Sequence, residues 1–95
     1  MTAEAARKPV APAPSFRLDG RTAIVTGAAG GIGARLALGL AEYGASVACV
    51  DLAGDGLEQC VENIRAYGGS AEAFPVDITD PEAVDGCVGE VESAL

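Results

Sequence analysis

Histidine and tryptophan are absent, lysine occurs once (Lys8), and aromatic residues make up 4% of the chain. Without histidine, no Ser-His-Asp or Cys-His nucleophile can be built, so Ser46, Ser70 and Ser93 have no imidazole to activate them. The same lack argues against zinc: Cys49, Cys60 and Cys87 form no C-x-x-C pair, and a structural zinc needs four nitrogen or sulfur ligands. No metal site is expected. Scarce bases and a net charge of −8 argue against nucleic acid or an anionic membrane surface as a partner. Long apolar runs are also missing. The longest uncharged stretch, Thr22 to Ala34, has thirteen residues and is broken by glycines, whereas a membrane helix needs about 20 apolar residues. Arg7 and Lys8 are followed by prolines instead of an apolar core, so no secretory leader is expected.

What remains is a small apolar chain. Its 95 residues, 49% of them apolar, suit a single domain of modest stability. From Ala66 to Leu95 there are seven acids and no base, a pattern read as solvated helix faces. Cys49 lies in a strand-like run, and Cys60 and Cys87 fall on apolar helical stripes. Buried, reduced thiols are expected, which fits a cytoplasmic protein. Residues 1–16 hold Pro9, Pro12 and Pro14 among alanines and read as a flexible tail, because proline neither continues a helix nor donates to a sheet. Residues 17–95 then form the domain.

The domain is organised around Thr22 to Gly33. Ala23-Ile24-Val25 is a β-branched run that stops at Thr26-Gly27, and Gly27, Gly30, Gly31 and Gly33 follow within seven positions. An alanine- and leucine-rich stretch then runs to Glu42. The order is strand, glycine turn, helix, in which bare backbone N–H groups and the helix dipole favour an anion. Ile32, Leu36 and Leu40 share a face suited to packing on a sheet, and Gly44 suits the helix C-terminus. Ser46 to Asp51 reads as a second strand, apolar without alternation, as in a parallel strand covered on both sides. Leu57, Cys60, Val61 and Ile64 mark a second helix ending at Tyr67-Gly68-Gly69. Ala71 to Ile78 reads as a third strand, with Pro75 in its middle favouring an edge position. Asp80 caps a third helix with Pro81 at its first position, and its apolar spacing persists to Leu95. The expected fold is α/β, a Rossmann-type doubly wound parallel sheet of which this is the N-terminal half: βαβαβα, strand order 3-2-1, with right-handed crossovers. The first strand would lie at an open edge, so the isolated chain is expected to be poorly soluble or to self-associate.

The motif Thr26-Gly27-x-x-x-Gly31-x-Gly33 resembles the cofactor-binding sequence of the short-chain dehydrogenase/reductase family, and Leu18-Asp19-Gly20 is similar to that family's lead-in. The resemblance spans Phe16 to Leu95 and implies an oxidoreductase with a nicotinamide dinucleotide cofactor. Asp51 ends the second strand 18 residues after Gly33, where the dinucleotide fold places an acid on the adenosine ribose. Such an acid also repels a 2′-phosphate. Family members that take NADP often place a base at the positions occupied here by Gly30 and Leu52, so NAD is expected over NADP. By the same resemblance Asp77 contacts adenine and Ile78 lines its ring; a plain turn role remains open for Asp77. Ile32 either underlies the pyrophosphate or is simple core. The expected cofactor residues are thus Thr26, Gly27, Gly30, Gly31, Ile32, Gly33, Asp51, Leu52, Asp77 and Ile78.

The family's catalytic Tyr-x-x-x-Lys pair, serine and asparagine have no counterpart. Val47 and Ala71 stand four residues after Tyr43 and Tyr67, and both tyrosines read as helix-end packing residues. The resemblance therefore covers only the family's N-terminal part. The leading expectation is a partial oxidoreductase acting on an alcohol or carbonyl substrate, inactive by itself, from a parent that is homo-oligomeric by resemblance. The alternatives are a free-standing nucleotide-binding module without catalysis and an inert fragment.

Overall fold

The computed structural model describes residues 17–95; the tail expected over residues 1–16 lies outside them. Six elements follow one another: β1 (Thr22–Thr26), α1 (Gly31–Glu42), β2 (Ser46–Asp51), α2 (Asp55–Ala66), β3 (Ser70–Pro75) and α3 (Pro81–Ala94). The strands are all parallel, in the order β1-β2-β3, with Thr22 opposite Ser46 and Ser46 opposite Ser70. This is the expected 3-2-1 half of a doubly wound sheet. β2 is central, and Val47 to Val50 are buried on both faces, which explains its continuous apolar run.

Alternate residues of β2 feed two cores. Val47 and Cys49 pack with Leu57, Val61 and Ile64 of α2 and with Ala37 and Ala41 of α1. Ala48 and Val50 pack on the opposite face with Phe74 and with Cys87 and Val91 of α3. All three cysteines are free and buried. The Sγ atoms of Cys49 and Cys60 lie 3.7 Å apart, where β2 meets α2. Among the described residues no helix is long and apolar enough to cross a membrane.

Two local expectations are corrected. The face of α1 turned to the sheet is centred on Ala34, Ala37, Leu38 and Ala41 and leaves out Ile32 and Leu36 of the expected stripe; Ile32 is 88% exposed and Leu36 57%. Small side chains let the helix approach the strands closely, and the glycine turn before it fixes its rotation. Leu40 alone of the expected stripe contributes, as a partly buried neighbour of the core. The second correction concerns β3, which ends at Pro75 instead of running through it to Ile78. The Val76 N–H makes a last bond to the Asp51 carbonyl at 2.8 Å. Beyond it, Asp77 bonds its own turn, and such local bonds compete with a ladder. Pro75 thus sits at the end of an edge strand, where its missing N–H costs little.

Candidate functional site

Because the strands are parallel, their carboxyl ends and the three loops after them meet at one edge of the sheet. Ligands of open α/β sheets bind at that edge. The first loop is a tight turn. Gly27 has φ +72°, which glycine adopts without strain, and its carbonyl accepts the Gly30 N–H at 3.1 Å. Ala28 ties the turn to the sheet through its N–H to the Val50 carbonyl, 3.2 Å. Gly33 lies directly over this turn. A Cβ there would collide with the Gly27 carbonyl oxygen and sit 2.7 Å from its carbon. Glycine at 33 therefore lets the first turn of α1 rest on the loop, leaving a groove of bare backbone.

The three helix starts differ in a way that bears on ligands. Asp80 caps α3, accepting from Glu82 and Ala83. α2 carries Asp55 and Glu58 in its first turn. α1 has neither a side-chain cap nor an acid in its first turn; Gly30 is its N-cap, in extended conformation. Its N–H groups and positive dipole end are left for an anion.

Asp51 stands at the end of β2, beside that turn. Its Oδ1 accepts the Leu52 N–H at 2.7 Å and its Oδ2 accepts the Ala29 N–H at 3.0 Å. These bonds hold the carboxylate and join β2 to the glycine turn. An ionised carboxylate accepts about four hydrogen bonds, so each oxygen keeps a free lone pair, side by side, as two adjacent hydroxyls require. The neighbouring Leu52 is exposed and uncharged.

Asp77 is partly committed. Its Oδ1 accepts from the Thr79 hydroxyl at 2.6 Å and from the Thr79 N–H at 2.9 Å. These bonds, the hydroxyl first, hold its carboxyl below the usual carboxylate range. The turn role left open by the sequence is thus present. Ile78 and Thr26 come together across a small apolar cavity of about 50 Å3 that Val50 also lines. Ile32, exposed at the start of α1, is not core, which removes one of its two readings. The sequence missed Ala29, whose N–H reaches Asp51, and Gly56, whose bare Cα abuts Ala29. A glycine inside a helix, here the second residue of α2, was the available sign.

The opposite edge of the sheet holds a larger cleft of about 450 Å3 between the C-terminal ends of α1 and α2, lined by Arg17, Glu42, Gly68 and Ser70 among others. Helix carboxyl ends do not attract an anion, and none of the expected cofactor residues reaches it. Tyr43 and Tyr67 cap α1 and α2 at this far edge. Both are exposed, which corrects the expectation that they pack.

The model of the family described as short chain dehydrogenase matches residues 21–95. The chain belongs to that family. It is 51% identical over 69 residues to a 1-deoxy-11-beta-hydroxypentalenate dehydrogenase of Streptomyces avermitilis, covering 73% of this chain and 26% of that protein. It is 43% identical over 78 residues to a 2,3-dihydro-2,3-dihydroxybenzoate dehydrogenase of Bacillus subtilis, covering 82% and 30%. The fold superposes on a 7α-hydroxysteroid dehydrogenase complexed with NADH and 7-oxo glycochenodeoxycholic acid, with a TM-score of 0.79, 38% identity and coverage of 83% and 31%. It also superposes on a metagenomic short-chain oxidoreductase in complex with NADP, with a TM-score of 0.77, 35% identity and coverage of 81% and 35%. The chain spans less than a third of the length of these two curated relatives.

Proposed function

We propose that residues 17–95 are a partial dinucleotide-binding domain that holds the adenosine and pyrophosphate of NAD, within an oxidoreductase acting on an alcohol or carbonyl. The uncapped start of α1 and the glycine groove fit a pyrophosphate. Thr26, Gly27, Gly30, Gly31, Ile32 and Gly33 are assigned to it. Asp51 takes the adenosine ribose hydroxyls, with Leu52 beside it. Asp77 and Ile78 are assigned to adenine, Asp77 through the oxygen not used by Thr79. When bound, NAD supplies the hydride acceptor; the residues present here bind and orient it.

One observation carries the choice of cofactor. The Asp51 carboxylate is fixed by two backbone N–H groups, and no base stands at Gly30 or Leu52 to neutralise a 2′-phosphate. Among similar structures one holds NADH and another NADP, so the choice rests on these residues and not on kinship. Calorimetric titration of the chain tests it. NAD is expected to bind at least about tenfold more tightly than NADP, a difference of about 1.4 kcal/mol, and Asp51→Ala is expected to remove the preference. Equal affinity of the wild-type chain for both overturns the assignment. The cytoplasmic setting and a homo-oligomeric parent belong to the same proposal, the first on the reduced thiols and the second on resemblance.

A further inference from the structure

Ala29 is fixed on two sides. Its N–H donates to Asp51 Oδ2 at 3.0 Å. On its other side lies Gly56, in the first turn of α2, where an added Cβ would sit 3.1 Å from the Ala29 Cβ and 3.2 Å from its carbonyl oxygen. Both separations are tighter than ordinary van der Waals contact, so a side chain at 56 would push Ala29 by a few tenths of an ångström.

Glycine at 56 has no backbone reason to be there. Its residue is helical, not among those with positive φ, and glycine inside a helix is disfavoured against alanine. Gly39 in α1 and Gly86 and Gly89 in α3 are also helical, yet a Cβ at any of them meets nothing within 4 Å. Gly56 alone of these four has its missing side chain accounted for by a neighbour, and that neighbour is the residue bonded to Asp51.

We propose that Gly56 is a positioning residue for the adenosine ribose: it lets α2 abut the glycine turn, which sets the Ala29 N–H on Asp51 and so fixes the plane of the carboxylate. The role rests on Asp51 being the ribose acceptor. Gly56 acts through Ala29 and needs no contact with the cofactor.

The test uses the full chain and three variants: Gly56→Ala, Ala29→Gly, and the two combined. NAD affinity, melting temperature and hydrogen exchange of the residue-29 amide are measured for each. Gly56→Ala is expected to weaken NAD binding about three- to tenfold, since a shift of a few tenths of an ångström at Ala29 uses up much of the about 0.5 Å within which positioned groups must be held. The melting temperature should hold or rise, because alanine is the better helix former, and the residue-29 amide should exchange faster. Adding Ala29→Gly removes the closer of the two contacts and should restore most of the affinity. Unchanged affinity in Gly56→Ala overturns the positioning role alone. So does a loss of affinity accompanied by a lower melting temperature, or one that Ala29→Gly does not relieve. A wild-type chain that binds no NAD overturns the dinucleotide reading and the positioning role with it.

Discussion

Asp51 accepts two backbone N–H bonds on different oxygens, so its carboxylate is oriented before any ligand is present. Pre-orientation lowers the ordering cost of binding. Substitution there should therefore lose affinity without loss of fold: Asp51→Ala is expected to weaken NAD by more than about tenfold and to leave the melting temperature within a few degrees, by calorimetry and circular dichroism. Gly33→Ala should behave differently. Its Cβ would meet the Gly27 backbone, so the turn and the helix start must separate. A stability loss of about 1–3 kcal/mol is expected in urea titrations, together with weaker cofactor binding. Cys49 gives a pH dependence. Burial, and then the neighbouring Cys60, push its thiol up to about 12. Below the ordinary thiol value of about 8.5 both folded and unfolded chains keep the proton; above it the unfolded chain loses it first, so stability falls as pH rises from there toward 12. Melts between pH 7.5 and 10 should show the decline, and Cys49→Val should lessen it, the Cys87 thiol, also raised by burial, leaving a remainder. The candidate motif glycines were legible in the sequence because strand end, turn and helix start are neighbours along the chain, and Asp51 because it closes the next strand, 18 residues after Gly33. Gly56 and Ala29 were not, because 27 positions separate them and only the packing of α2 brings them together.

At the scale of the element, α1 gives up stability that α3 keeps. α3 has a carboxylate cap in Asp80 and proline at its start; α1 begins with neither cap nor acid. Helix starts that serve ligands often forgo such stabilisation, and restoring it trades against function. Asp80→Ala is expected to cost about 1 kcal/mol of stability with no change in NAD affinity. Gly30→Asp should do the reverse. Gly30 is in extended backbone, and a Cβ there has only the Gly27 carbonyl within reach, at 3.5 Å, so aspartate fits. It should steady α1 by roughly 0.5–1 kcal/mol and weaken NAD by placing a negative charge against the pyrophosphate. Measuring stability and affinity on the same two variants separates the roles of the two helix starts. The order and type of all six elements could be read from periodicity, turn glycines and the Asp80-Pro81 start. What could not be read was the rotation of α1 and the end of β3. Both alanine and leucine stripes are present on α1, and only contact with the strands selects the face of Ala34, Ala37, Leu38 and Ala41 over Ile32 and Leu36. Likewise, the Thr79 N–H and hydroxyl donate to Asp77 just past Pro75, where β3 ends, and these local bonds compete with further pairing.

At the scale of the whole molecule, the sheet is covered unevenly. α1 and α2 cover one face and α3 lies on the other, against β2 and β3 through Ala48, Val50 and Phe74. The outer face of β1 is left beside a cleft of about 390 Å3 between Thr22, Ile24, Val88, Val91 and Leu95. This arrangement bears on activity first. Both tyrosines cap helices at the edge away from Asp51 and the glycine turn, so no phenol is placed to exchange a proton with a substrate at that site. The chain is expected to reduce no NAD above background with a panel of alcohols; turnover abolished by Gly31→Trp would overturn that. It bears on solubility as well. Among the described residues β1 pairs only with β2, and its Thr22 to Thr26 segment carries no charge and no proline to block another strand. Ile24 is 47% exposed and Val88 41%, next to that free edge. Covering apolar surface yields about 25 cal/mol per Å2, and an uncharged edge strand is a template for pairing. The net charge of −8 opposes association, and Glu92 of α3 lines the cleft beside β1, but most acids lie elsewhere and none is on β1 itself. Pairing at the edge is therefore less opposed than the total charge implies, and added salt, which screens that charge, should strengthen it. Sedimentation velocity of the chain is expected to show association that grows with concentration and with salt. Ile24→Lys places a charge on the exposed face of the edge strand and should return the chain toward monomer with little loss of stability, since Ile24 lies outside both cores. A monomer at all concentrations with a cooperative melt would mean that the free edge of β1 is protected in a way its sequence and exposure do not account for.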